Sequence, residues 1–132
     1  MAYLFYVAVK LLCYIAWCWV ALRLWRVPPV SLIKAAGFGM LRLAIGVAFG
    51  IAIFFVVPAQ PEGLLWKYIV IYAPVRVVEW FILVLIIGRK SDNQTPLTSI
   101  MWCLGGVAVS FAADFASPEG VAGHFCIGRC LC

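Results

Sequence analysis

Charge is the scarcest commodity in this chain. Ten Lys and Arg, five Asp and Glu and a single His are spread over 132 residues, so charged residues make up only 11% of the sequence. A water-soluble domain of this length faces solvent on every side and carries about a quarter charged residues. The single His124 excludes a bis-His haem within the membrane and any Ser-His-Asp or Cys-His set built from the apolar segments. No Gly-rich loop followed by Lys and Ser or Thr is present, which leaves out a phosphate cradle of that type. No two carboxylates lie close enough in sequence to suggest paired acid–base work, and no Cys-x-x-Cys occurs within an apolar segment. The chain is therefore expected to be non-catalytic.

What is abundant is hydrocarbon. Hydrophobic residues are 67% of the chain, and they come in blocks too long for core strands. A run of about 18 or more apolar residues, at 1.5 Å rise per residue, matches a hydrocarbon layer roughly 30 Å thick. Four such blocks are legible, at about 3–24, 37–57, 64–87 and 97–115. Pro28-Pro29 ends the first, Pro58 and Pro61 the second, Gly88-Arg89-Lys90 the third and Ser117-Pro118 the fourth. The expected fold class is all-α: a polytopic membrane protein, a four-transmembrane-helix bundle over residues 1–117 with short loops, followed by a short Cys-rich C-terminal tail, 118–132. The first block is too long for the apolar region of a signal peptide and lacks a basic start, so it is expected to remain as an anchor. Trp25, Trp66, Tyr68 and Trp102 fall near block ends, where amphipathic rings favour the headgroup zone.

The net charge of +5 does not point to nucleic acid, because the basic residues sit at block ends without an interleaved aromatic run. They read as topology signals. Arg23, Arg26 and Lys34 flank the first loop, with Arg42 just inside the next block, and Arg89 and Lys90 mark the third loop. The second loop has Glu62 and Lys67, and the tail has Glu119 and Arg129. The positive-inside rule then puts loops one and three in the cytoplasm and both termini outside, or periplasmic, in a cell inner (plasma) membrane.

Ionisable residues at membrane depth are candidates for function. Arg76 and Glu79 are three apart in the third block, share a helix face and can pair. They can lock the bundle, bind another subunit or a lipid headgroup, or relay an ion. Lys10 and Asp114 both belong near the outer leaflet, so a contact between them is expected, and Arg42 can reach Glu79 or lipid phosphates. Pro74 should kink the third helix. Close helix packing is expected at Gly39, Gly46 and Gly50 in the second block, and along Ser99, Cys103, Gly106, Ser110 and Ala113 in the fourth.

Of six cysteines, Cys13, Cys18 and Cys103 lie in apolar blocks and read as packing residues. The tail gathers His124, Cys126, Cys130 and Cys132 within nine residues. Four soft ligands suit zinc or copper(I), while a disulfide with a free thiol suits an oxidising compartment equally well. Bound lipid is expected along the spans. The partners expected are membrane lipids and other membrane subunits or further copies of the chain, with no nucleic acid. The leading functional expectation is a non-catalytic accessory or structural subunit of a larger membrane complex. The alternatives are a small homo-oligomeric transporter or channel with a path near Arg76, Glu79, Pro74 and the second-block glycines, and a metal- or redox-active protein using the tail.

Overall fold

A computed structural model describes residues 2–56, 60–63, 65–91, 93–121 and 125–127. Four long helices dominate: α1 (Ala2–Leu24), α2 (Leu32–Val56), α3 (Leu65–Gly88) and α4 (Pro96–Asp114). All four are long and apolar enough to cross a membrane. A short antiparallel ribbon joins β1 (Gln60–Gly63), between α2 and α3, to β2 (Phe125–Ile127) in the tail, and α5 (Pro118–Val121) is a single turn between α4 and β2. The chain is an all-α four-helix bundle of multi-pass membrane type.

The helix ends follow local chemistry. At the end of α1, Arg26 adopts a left-handed φ of 51°. Val27 N–H donates to Leu22 O at 3.1 Å and Arg26 N–H to Arg23 O at 3.3 Å. This is a Schellman close, with Val27 and Leu22 both fully buried as its apolar contact. Helix α2 begins at Leu32 rather than near Gly37. Ser31 provides the start, because its Oγ accepts from Lys34 N–H at 3.2 Å. Helix α4 starts from a Thr95–Thr98 capping box with Pro96 in its first turn.

The bundle runs up-down-up-down. Loops one and three meet at one end, where Ser91 Oγ donates to Trp25 O at 2.8 Å. At the other end Tyr6 of α1 reaches Asp114 of α4, and the β1–β2 ribbon ties loop two to the tail. Helix α1 packs against α2 and α4, while α3 packs mainly on α4 and more loosely on α2.

Inside and outside are inverted relative to a soluble bundle. Only Ala35, Gly39 and Arg42 are buried among the 25 residues of α2, while Ile33 and Phe55 are at least 80% exposed. The half of the interior nearer loops one and three is mainly aromatic and apolar, built on Tyr14, Cys18, Trp25, Trp80, Leu83 and Trp102. Trp17 and Trp102 bind reciprocally, each indole N–H donating to the other residue's carbonyl at 3.1 and 3.2 Å. The glycines of α4 admit these rings. A Cβ on Gly105 would stand 2.3 Å from Trp17, and one on Gly106 2.5 Å from Trp80. Gly39 does the same between α1 and α2, where a Cβ would lie 2.6 Å from Ile15 Cγ1 and 3.0 Å from its backbone nitrogen. Trp25, Trp102 and Tyr68 are buried in the bundle, and of the four rings expected near the headgroups Trp66 is the exposed one.

Candidate functional site

The other half of the interior is polar. Lys10, Arg42, Arg76, Glu79, Ser110 and Asp114 are all buried there. They form two linked groups.

The first group surrounds Asp114, at the last turn of α4. Its Oδ1 accepts from Tyr6 Oη and Lys10 Nζ, each at 2.7 Å. Its Oδ2 accepts from Tyr68 Oη at 2.7 Å and from Arg76 Nη2. Lys10 Nζ also donates to Tyr6 Oη at 2.6 Å, and Arg76 Nη2 to Tyr68 Oη at 3.1 Å. One carboxylate of α4 thus holds two cations and two phenols drawn from α1 and α3. The second group lies deeper. Arg42 Nη2 donates to Glu79 Oε2 at 2.6 Å and, more weakly, to Ser110 Oγ at 3.4 Å. Trp80 Nε1 donates to the same Ser110 Oγ at 2.9 Å. The Arg42 guanidinium also sits 4.8 Å from the Tyr14 ring centre and 4.9 Å from that of Trp80, in range for cation–π attraction.

These contacts redirect the pairing expected within α3. Arg76 pairs with Asp114 and Glu79 with Arg42, rather than with each other. Helical side chains lean toward the helix N-terminus. Arg76 therefore swings toward Tyr68, two turns earlier, where the antiparallel α4 presents Asp114. The earlier start of α2 puts Arg42 ten residues inside that helix, about 15 Å along it at 1.5 Å per residue. That distance along the helix brings it level with Glu79. Lys10 and Asp114 do meet, at 2.7 Å.

A cavity of about 50 Å³ separates α1, α2 and α3. Its lining runs from Tyr6, Gly50 and Ile53 down to Arg42, Gly46 and Glu79, and includes Lys10, Tyr72 and Arg76. Gly46 and Gly50 therefore create space instead of bringing helices together. A Cβ on Gly46 would project to 3.0 Å from Arg42 Nη1 and 3.9 Å from Glu79 Oε1. Pro74 lies two residues from Arg76, roughly opposite it on α3 at 3.6 residues per turn. It is exposed on the outer face and does not line the cavity, and α3 continues helical through it.

The remaining candidates separate from this site. Cys103 is buried with its thiol 3.6 Å from Val77 O, and Gly106 admits the Trp80 ring. Ser99 is half-buried and bonds within the first turns of α4. Cys13, Cys18 and Cys103 are free thiols. The tail ligands His124, Cys130 and Cys132 lie outside the described residues, and of Cys126 only the backbone in β2 is described. Among the described residues no group of three His, Cys, Asp or Glu side chains could hold a metal ion.

Sequence reasoning passed over Tyr6, Tyr14, Tyr68 and Tyr72 as site residues. Their signal was available, since Tyr6-Lys10-Tyr14 and Tyr68-Tyr72-Arg76 each recur every four residues on one helix face. No family model matches the chain, and neither a curated protein nor a solved structure matches it.

Proposed function

We propose that this chain is a small membrane transport protein that takes a polar solute into the cavity between α1, α2 and α3. One observation carries the reading: the five deep ionisable side chains turn inward, and four of them line that cavity. A bundle that needed only to pack could have filled this volume with Leu and Ile, avoiding the cost of several kcal/mol for each ion taken out of water. Arginine, lysine and glutamate around a void provide what a solute needs once it sheds its hydration shell. The apolar tryptophan half closes the bundle toward loops one and three, so passage requires Trp80 and Trp102 to repack or a second copy to complete the path. The basic residues at that end (Arg23, Arg26, Lys34, Arg89 and Lys90) support a cytoplasmic assignment for it, with both termini outside in a cell inner membrane.

Flux into liposomes carrying the purified chain tests this reading. Uptake of a small solute above that of empty liposomes, abolished by Glu79→Gln, supports it. A tight, well-folded preparation that moves no solute of either charge removes it.

A second reading, an accessory subunit of a larger membrane complex, draws on the outer face. There an apolar groove of about 320 Å³ runs between α3 and α4, lined by Val77, Phe81, Ile100, Cys103 and Leu104. It suits a lipid chain or a partner helix, and mild-detergent purification followed by mass identification of co-migrating chains tests it.

A further inference from the structure

We infer that the cavity binds one small monovalent anion, of halide or nitrate size, held by Lys10, Arg76 and Arg42; this rests on the transport reading of the same cavity and names its solute class.

The charge count is the starting point. Among the described residues, Lys10, Arg42 and Arg76 face two buried carboxylates, Glu79 and Asp114, which leaves one surplus positive charge inside the bundle. The surplus has an address. Arg42 and Glu79 neutralise each other at 2.6 Å, whereas Lys10 and Arg76 share the single carboxylate of Asp114. A buried cation without a counter-charge is a costly state in a low-dielectric interior, so an ion of opposite sign is drawn to the space beside it.

The donors are in place for that ion. Lys10 has three N–H groups and spends two, on Tyr6 and Asp114. Arg42 and Arg76 are 1% and 4% exposed, and on each the Nε–H lacks a hydrogen-bond partner among the described residues. All three side chains line the same cavity. Its size narrows the ligand. About 50 Å³ of internal space admits a few waters or one compact ion. A sulfate or a phosphomonoester, at two charges, would reverse the imbalance instead of cancelling it, and a lipid headgroup is too large for the space.

The test follows thermal unfolding of the full chain in nanodiscs of neutral lipid, read by tryptophan fluorescence, at fixed ionic strength. Sodium chloride or nitrate is exchanged for sodium gluconate, whose anion is bulky. Binding to the folded state raises stability with the logarithm of ligand concentration above Kd. The expected result is a midpoint that climbs with chloride by several degrees and not with gluconate. Lys10→Met removes the surplus charge and should abolish the dependence. Gly50→Leu leaves every charge in place but fills the cavity, and should abolish it as well, which keeps the test valid if Lys10→Met fails to fold. No chloride-specific shift in the natural protein, an unchanged shift in Gly50→Leu, or a shift that follows the cation overturns the inference. If liposomes move a cation or a neutral solute while chloride leaves the midpoint unmoved, the anion fails and transport stands. If chloride binds but nothing is transported, transport fails and the anion site stands.

Discussion

Asp114 is the residue on which most of the polar interior depends. Two cations and two phenols converge on its two oxygens. Asp114→Asn keeps the shape but strands Lys10 and Arg76 as buried cations, and should cost roughly 3–5 kcal/mol, read as a fall in the thermal midpoint in detergent. Glu79 behaves differently because its only ionic partner among the described residues is Arg42. Glu79→Gln alone leaves Arg42 charged and unpaired, whereas Arg42→Met with Glu79→Gln removes the problem. The double variant should therefore be more stable than the single one, and a double-mutant cycle measures the difference. The sequence made some of this readable. Lys10 and Asp114 could be matched because both lie the same short distance from one end of the bundle. The Arg76–Glu79 pairing misled, because three-residue spacing says which face two side chains share but not which way each leans along it.

At the scale of elements, the helix junctions are the legible part and the packing contacts are less so. Pro28-Pro29 announced the end of α1, while the Thr95–Thr98 capping box at the start of α4 emerged with the structure. Ser31 was an available N-cap signal for α2, obscured by the Gly37 and Gly39 that follow it. The Schellman close of α1 carries an arginine where glycine is usual, at a φ of 51°. A left-handed conformation costs a non-glycine residue roughly 1–2 kcal/mol, so Arg26→Gly should raise stability by about 1 kcal/mol in chemical unfolding after the greater freedom of the unfolded chain is offset. Glycine roles within the spans were harder to assign. Gly39 and Gly106 admit Ile15 and the Trp80 ring, while Gly46 and Gly50 leave a void. Spacing alone makes these four alike, because the neighbour that fills or vacates the space comes from another helix. Gly106→Val should overpack Trp80 and cost about 1–3 kcal/mol, with a blue or red shift of tryptophan emission reporting displacement of that ring.

For the whole molecule, composition settles the class and leaves the interior obscure. Four apolar helices of 19 to 25 residues follow directly from the run lengths. Which face of each turns inward does not, because lipid and protein interior are both apolar and every face of α2 is nearly alike apart from Lys34 and Arg42. The inward faces became visible only where the rare polar residues met, on a cavity that no single helix encodes. The central claim is that this polar cavity is reachable from water while the outer faces are in lipid. Single cysteines in a background lacking the natural ones test it most directly, using a small anionic water-soluble thiol reagent on the chain in liposomes. Gly50→Cys, which lines the cavity, should be modified, and Leu12→Cys, exposed on the outside of α1, should stay protected by lipid. Equal labelling of the two positions, or labelling of Leu12→Cys alone, would contradict the account.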